Sequence, residues 1–122
     1  MNSEKKILLA DDDSDFLEAT QLMLMDEGFD VIPAIDGEEA VEKYKQTKPD
    51  IVFLDIKMPG IDGFEAFFRI VKFDPDARVV FTSSYAIDDD KFKKAKKLKL
   101  RGMLPKPFDF EDAEKTIKKC AK

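Results

Sequence analysis

The feature that most constrains this chain is a five-fold alternation of a short apolar run with a segment of helical periodicity. The runs are KKILLA (5–10), FDVIPA (29–34), DIVFL (50–54), RVVFT (78–82) and GMLP (102–105). The first helical segment is SDFLEATQLMLMDEG, where Phe16, Thr20, Met23 and Leu24 share a side, Ser14 is the expected N-cap and Gly28 the stop. In DGEEAVEKYKQ, Asp36 and Glu39 form an N-terminal capping signature. Phe64, Phe67, Phe68 and Val71 then fall at i, i+3, i+4, i+7, and DPDA breaks that helix. DDDKFKKAKKLKL and FEDAEKTIKKCA supply the last two helices. Strands joined by helices cross over right-handedly and build a parallel sheet covered on both faces. Uninterrupted apolar strands agree, because both faces of such a sheet are buried. Pro105 is tolerated only where a missing N–H costs nothing, so the fifth strand is expected at an edge.

Those constraints favour an α/β, doubly wound (βα)5 fold with strand order 2-1-3-4-5, the flavodoxin-like arrangement. Its ligand crevice lies at the C-terminal strand ends, beside the switch point between strands 1 and 3. The 122 residues suit one compact domain over 1–122. No apolar run approaches the roughly 20 residues needed to span a bilayer. No apolar stretch follows MNSEKK, so no signal peptide is expected. A single cysteine, Cys120, cannot form an internal disulfide and suggests a reducing, cytoplasmic compartment. Residues 1–87 hold 9 Lys/Arg against 19 Asp/Glu, whereas 88–122 hold 12 against 7. An overall acidic chain argues against general nucleic-acid binding. There is no histidine, so chemistry that needs imidazole must borrow it from a partner.

The strand ends carry the chemistry. Strand 1 ends in Asp11 and Asp12, strand 3 in Asp55, strand 4 in Thr82, and Lys106 follows strand 5. An aspartate after a strand is commonly a helix cap or a solvated turn. Three clustered carboxylates, however, repel one another and raise at least one pKa unless a cation sits among them. Oxygen-only ligands with open positions suit Mg²⁺, or Mn²⁺ in its place. A carboxylate beside a divalent ion can act as a nucleophile toward phosphorus, with metal and lysine neutralising the transferring oxygens and a threonine hydroxyl donating one more hydrogen bond.

The segments ILLADDD, IVFLDIKMPGIDG, VVFTSS and LPKPF span nearly the whole chain. In order and spacing they resemble the receiver domain of two-component response regulators, the fold of the chemotaxis regulator. The resemblance implies that Asp55 is the phosphoacceptor, that Asp12 binds the metal directly, and that Asp11 acts largely through water. It makes the Lys57 backbone carbonyl a third protein ligand. It has Thr82 hydrogen-bond the phosphoryl group, Ser83 leave room for it, and Lys106 pair with it through a Lys106–Pro107 bond that is cis in relatives. The donor it implies is the phosphohistidine of a sensor histidine kinase or a histidine phosphotransfer protein. The reader is a downstream effector or output domain at the face of helix 4, strand 5 and helix 5, a face through which receivers also dimerise on phosphorylation.

The chain departs from the family in places. Met103 stands where relatives carry a switching aromatic, and Tyr85 is a candidate to share that role. Lys99 stands where relatives carry a glycine near the end of helix 4, so that helix end is expected to differ or to be mobile. Lys57 and Ser84 flank the site where relatives set phosphoryl lifetime, and a lysine there implies a persistent phosphorylated state. The Lys-rich fourth helix is either a solvated face or a dock for an acidic partner. A small-molecule phosphatase using an aspartyl phosphate would need an acid/base residue just after Asp55, where Ile56 and Lys57 stand. A nucleotide or flavin binder would need a Gly-rich phosphate loop, which is absent. A receiver-shaped interaction module that takes no phosphate fits poorly with the complete polar set. Ending after its fifth helix, the chain reads as a stand-alone regulator or as the receiver of a longer protein.

Overall fold

The computed structural model describes residues 5–83 and 89–120. Its elements run β1 (Lys6–Ala10), α1 (Ser14–Asp26), β2 (Asp30–Ala34), α2 (Gly37–Thr47), β3 (Ile51–Asp55), α3 (Gly63–Phe73), β4 (Val79–Ser83), α4 (Asp89–Lys97), β5 (Gly102–Pro105) and α5 (Phe110–Cys120). The strands form one sheet in the order β2-β1-β3-β4-β5. Each neighbouring pair is parallel. This is the architecture the alternating runs imply. Both strand prolines, Pro33 in β2 and Pro105 in β5, sit on edge strands, where the missing N–H removes no ladder bond on the open side.

Side chains alternate across a strand, so each strand feeds two cores. Leu8, Val52, Leu54, Val79 and Phe81 pack with α2, α3 and the α4 residue Ala95. Ile7, Leu9, Ile51, Phe53, Val80 and Leu104 pack on the other face with Leu17 and Leu24 of α1 and with Ala113 and Ile117 of α5. β1, β3 and β4 are buried on both faces and therefore read as continuous apolar runs.

Two local expectations are corrected. The N-cap of α1 is Asp13, not Ser14: its Oδ1 accepts the N–H groups of Asp15 at 3.1 Å and Phe16 at 3.2 Å. Aspartate caps as well as serine, and in a DDDS run the backbone path decides between them. The buried side of α1 is Leu17, Thr20 and Leu24, with Phe16 and Met23 half-buried. The end of α4 keeps a left-handed cap despite lacking glycine. Lys99 has φ 71°, and the Leu100 N–H donates back to the Ala95 carbonyl at 3.1 Å. The capping pair of α2 forms as expected, with Asp36 accepting from the Glu39 N–H and Glu39 from the Ile35 N–H, each at 2.7 Å.

Candidate functional site

The carboxyl ends of β1, β3, β4 and β5 deliver the polar residues. The ladder carries one residue past β1, where the Asp11 N–H donates to the Ala34 carbonyl at 3.0 Å and turns this carboxylate into the interior. Asp55 closes β3 in register with Thr82, and both are buried. Past β5, the Lys106 N–H donates to the Ser83 carbonyl at 2.9 Å, which aims its side chain back over the strand ends. The Lys106 Nζ lies 2.8 Å from Asp11 Oδ2 and 3.4 Å from Asp55 Oδ2. Asp11 Oδ1 accepts the Asp13 N–H at 2.9 Å, and Asp55 Oδ1 accepts the Lys57 N–H at 3.4 Å.

Burial, then repulsion from Asp11, pushes the Asp55 carboxyl up to about 6 from its ordinary 3.8, against the pull of Lys106. Burial works against the Lys106 ammonium, but its hydrogen bond and attraction to Asp11, with help from Asp55, outweigh that cost and hold its pKa above the usual lysine value. The site thus holds more negative charge than one lysine compensates. Ligand oxygens of Asp11, Asp12 and Asp55 all lie within 4.8 Å of one another, with Asp12 exposed to solvent. Hard oxygen donors, clustered on one side and open to water on the other, fit a divalent cation that keeps several waters.

The structure thus gathers Asp11, Asp12, Asp55, Thr82 and Lys106, with Ser83 buried next to Thr82 and paired in register with Pro105. The Lys106–Pro107 bond is cis. Met103 lies elsewhere: it pairs with Phe81 and packs, half-buried, on the α4 face of the sheet. Tyr85 and Ser84 lie outside the described residues. Three contributors escaped the sequence reading. Asp13 ties the α1 cap to Asp11, and Phe16 puts its ring 4.7 Å from the Lys106 ammonium. Gly63 donates to the Ile56 carbonyl at 2.7 Å, and a Cβ there would press on the Asp55 carbonyl and on Ile56 Cα at 2.7 Å. The GIDG turn carries a signal for glycine but none for that close approach. Because backbone cannot yield as a flexible side chain does, Gly63→Ala is expected to cost about 2 kcal/mol. Urea denaturation checks this, and a loss below about 0.5 kcal/mol would show that α3 is not pressed onto β3.

Fold and site define an α/β protein whose chemistry centres on a buried, partly compensated carboxylate at the carboxyl edge of the sheet. Residues 7–118 match the family described as response regulator receiver domain, and the chain belongs to that family of two-component signalling domains. The chemotaxis protein CheY of Halobacterium salinarum is 40% identical over 105 residues, covering 85% of this chain and 86% of that protein. A CheY-like receiver domain protein from Methanospirillum hungatei superposes with a TM-score of 0.88 at 27% identity, covering 95% and 92% of the two chains. A chain of the CheX-CheY-BeF3-Mg+2 complex from Borrelia burgdorferi gives a TM-score of 0.84 at 33% identity, over 93% and 86%. Among the described residues, no helix is long and apolar enough to cross a membrane.

Proposed function

We propose that this chain is a receiver over 1–122 in which Asp55 takes a phosphoryl group from the phosphohistidine of a sensor histidine kinase or histidine phosphotransfer protein. The observation that carries this reading is the Asp55 carboxylate, buried at the end of β3 with carboxylate oxygens of Asp11 and Asp12 within 4.8 Å and the Lys106 ammonium at 3.4 Å. In the transfer an Asp55 oxygen bonds to phosphorus as the histidine N–P bond breaks, and the partner's imidazole leaves with the bonding pair. A Mg²⁺ ion, or Mn²⁺, held by Asp11, Asp12, Asp55 and the Lys57 carbonyl would neutralise charge on the transferring oxygens. Lys106, 3.4 Å from Asp55 Oδ2, would pair with a phosphoryl oxygen. Thr82 and Ser83, buried at the end of β4, would hydrogen-bond and make room for that group.

Phosphorylation adds about −1.5 to −2 charges to a site already rich in carboxylate, biasing an existing equilibrium between two states. The output face is that of α4, β5 and α5, with Met103 packed beneath α4. Lys93, Lys97 and Lys99 have no ion-pair partner there among the described residues, which suits a cytoplasmic effector, an output domain or a second receiver bearing acidic groups. The test is intact-mass measurement after incubation with Mg²⁺ and acetyl phosphate. A gain of one phosphoryl group that needs Mg²⁺ and is absent from Asp55→Asn supports the reading. No gain, together with no binding of beryllofluoride, rejects it in favour of a receiver-shaped scaffold.

A further inference from the structure

We propose that Phe16 is a positioning residue whose ring face holds the Lys106 ammonium beside Asp55, an inference that rests on the phosphoryl-accepting reading above. Three groups surround that ammonium: the Asp11 carboxylate at 2.8 Å, the Asp55 carboxylate at 3.4 Å and the Phe16 ring centroid at 4.7 Å. Only 12% of the lysine side chain is exposed, so the π face replaces water as its third neighbour.

The placement is built by a closed circuit of contacts. Asp11 accepts the Asp13 N–H through one oxygen and binds Lys106 through the other. Asp13 accepts the Phe16 N–H as the cap of α1, which sets where the Phe16 side chain leaves the helix. The Phe16 ring meets Phe108 edge-on at 5.5 Å, and Phe108 lies 6.3 Å from the core residue Phe53. Phe16 is therefore braced from the loop that carries Lys106 itself.

This arrangement has a consequence for Asp11. A cation held by Asp11 would compete with Lys106 for that carboxylate's charge. The ring would make no such exchange, so the ammonium would keep a neighbour that holds it beside Asp55.

The experiment compares Phe16→Leu, which keeps apolar volume without a π face, with Phe16→Tyr, which restores the face. Two quantities are read: the ring-current shift of the Lys106 ε-methylene protons by NMR, and the rate of Mg²⁺-dependent labelling by acetyl phosphate at saturating donor. Loss of one partly desolvated cation–π contact is expected to slow labelling about three- to tenfold in Phe16→Leu. The upfield shift should vanish in that variant, Mg²⁺ affinity measured by titration calorimetry should stay unchanged, and Phe16→Tyr should recover both shift and rate. A folded Phe16→Leu chain labelled as fast as the unaltered one overturns the proposal and reduces Phe16 to packing. Equal loss of Mg²⁺ affinity and rate also overturns it, since the ring would then be supporting the α1 cap. If the unaltered chain itself takes no phosphoryl group, the receiver chemistry fails first and this inference falls with it.

Discussion

Asp55→Asn is expected to stabilise the metal-free protein at pH 7 by about 2 to 3 kcal/mol, the linkage value of a carboxyl pushed up from 3.8 to about 6. The folded-state pKa of about 6 lies above the ordinary 3.8 because burial and then Asp11 disfavour the anion. A raised carboxyl binds its proton more tightly when folded. Its contribution is therefore fully present below about pH 3.8, shrinks as pH rises, and is gone above about pH 6. Without metal, the unaltered chain should lose stability across that window beyond what Asp55→Asn loses. Urea midpoints at pH 4, 5, 6 and 7 in EDTA read this directly, and parallel curves for the two chains would contradict the burial of a charged Asp55. Mg²⁺ should restore stability to the unaltered chain more than to the variant, because a ligand that binds only the folded state stabilises it.

Lys106→Met should move stability the other way, and by more. It keeps the apolar stem but deletes the cation between two carboxylates, one of them, Asp11, wholly buried. Removing one partner of a buried pair costs about 3 to 5 kcal/mol, because the remaining charge is left uncompensated. In EDTA at pH 7 the variant should melt far below the unaltered protein. Adding Asp55→Asn to it should recover part of the loss, since neutralising one carboxylate relieves the repulsion. A double-mutant cycle measures that coupling. A loss under about 1 kcal/mol, as for an exposed pair, would mean that water screens the site.

The chemistry of the site was legible to the extent that it depended on residue type at a strand end. Asp11, Asp12, Asp55, Thr82 and Lys106 could be picked out because parallel strands in this order bring their carboxyl ends to one edge. The partners of Lys106 could not. A lysine after β5 says nothing about whether its ammonium settles on Asp11, at 2.8 Å, or on Asp55, at 3.4 Å. Phe16 has the same history. Its spacing placed it on the buried side of α1, but the helix packs with Leu17, Thr20 and Leu24 in the core and leaves the Phe16 ring 4.7 Å from the Lys106 ammonium. Lys99 shows that a missing glycine is weak evidence about backbone shape. The cap hydrogen bonds and the packing of Ala95 and Leu100 hold the left-handed residue in place.

The alternation of strand and helix, the parallel sheet, the edge position of β5 and the polar residues at the sheet's carboxyl edge all follow from the order of residues along the chain. These rest on periodicity, proline chemistry and handed crossovers, all of which act within a few turns of chain or through the geometry of any βαβ unit. Packing in three dimensions sets which aspartate caps α1, which carboxylate lies nearer the lysine, why Gly63 has no room for a side chain, and how an aromatic ring reaches the site. Each of those depends on distances between segments up to 95 residues apart in the chain, the separation of Asp11 from Lys106. Ångström-scale differences in such distances arise from close packing of the whole domain, and no local pattern encodes them.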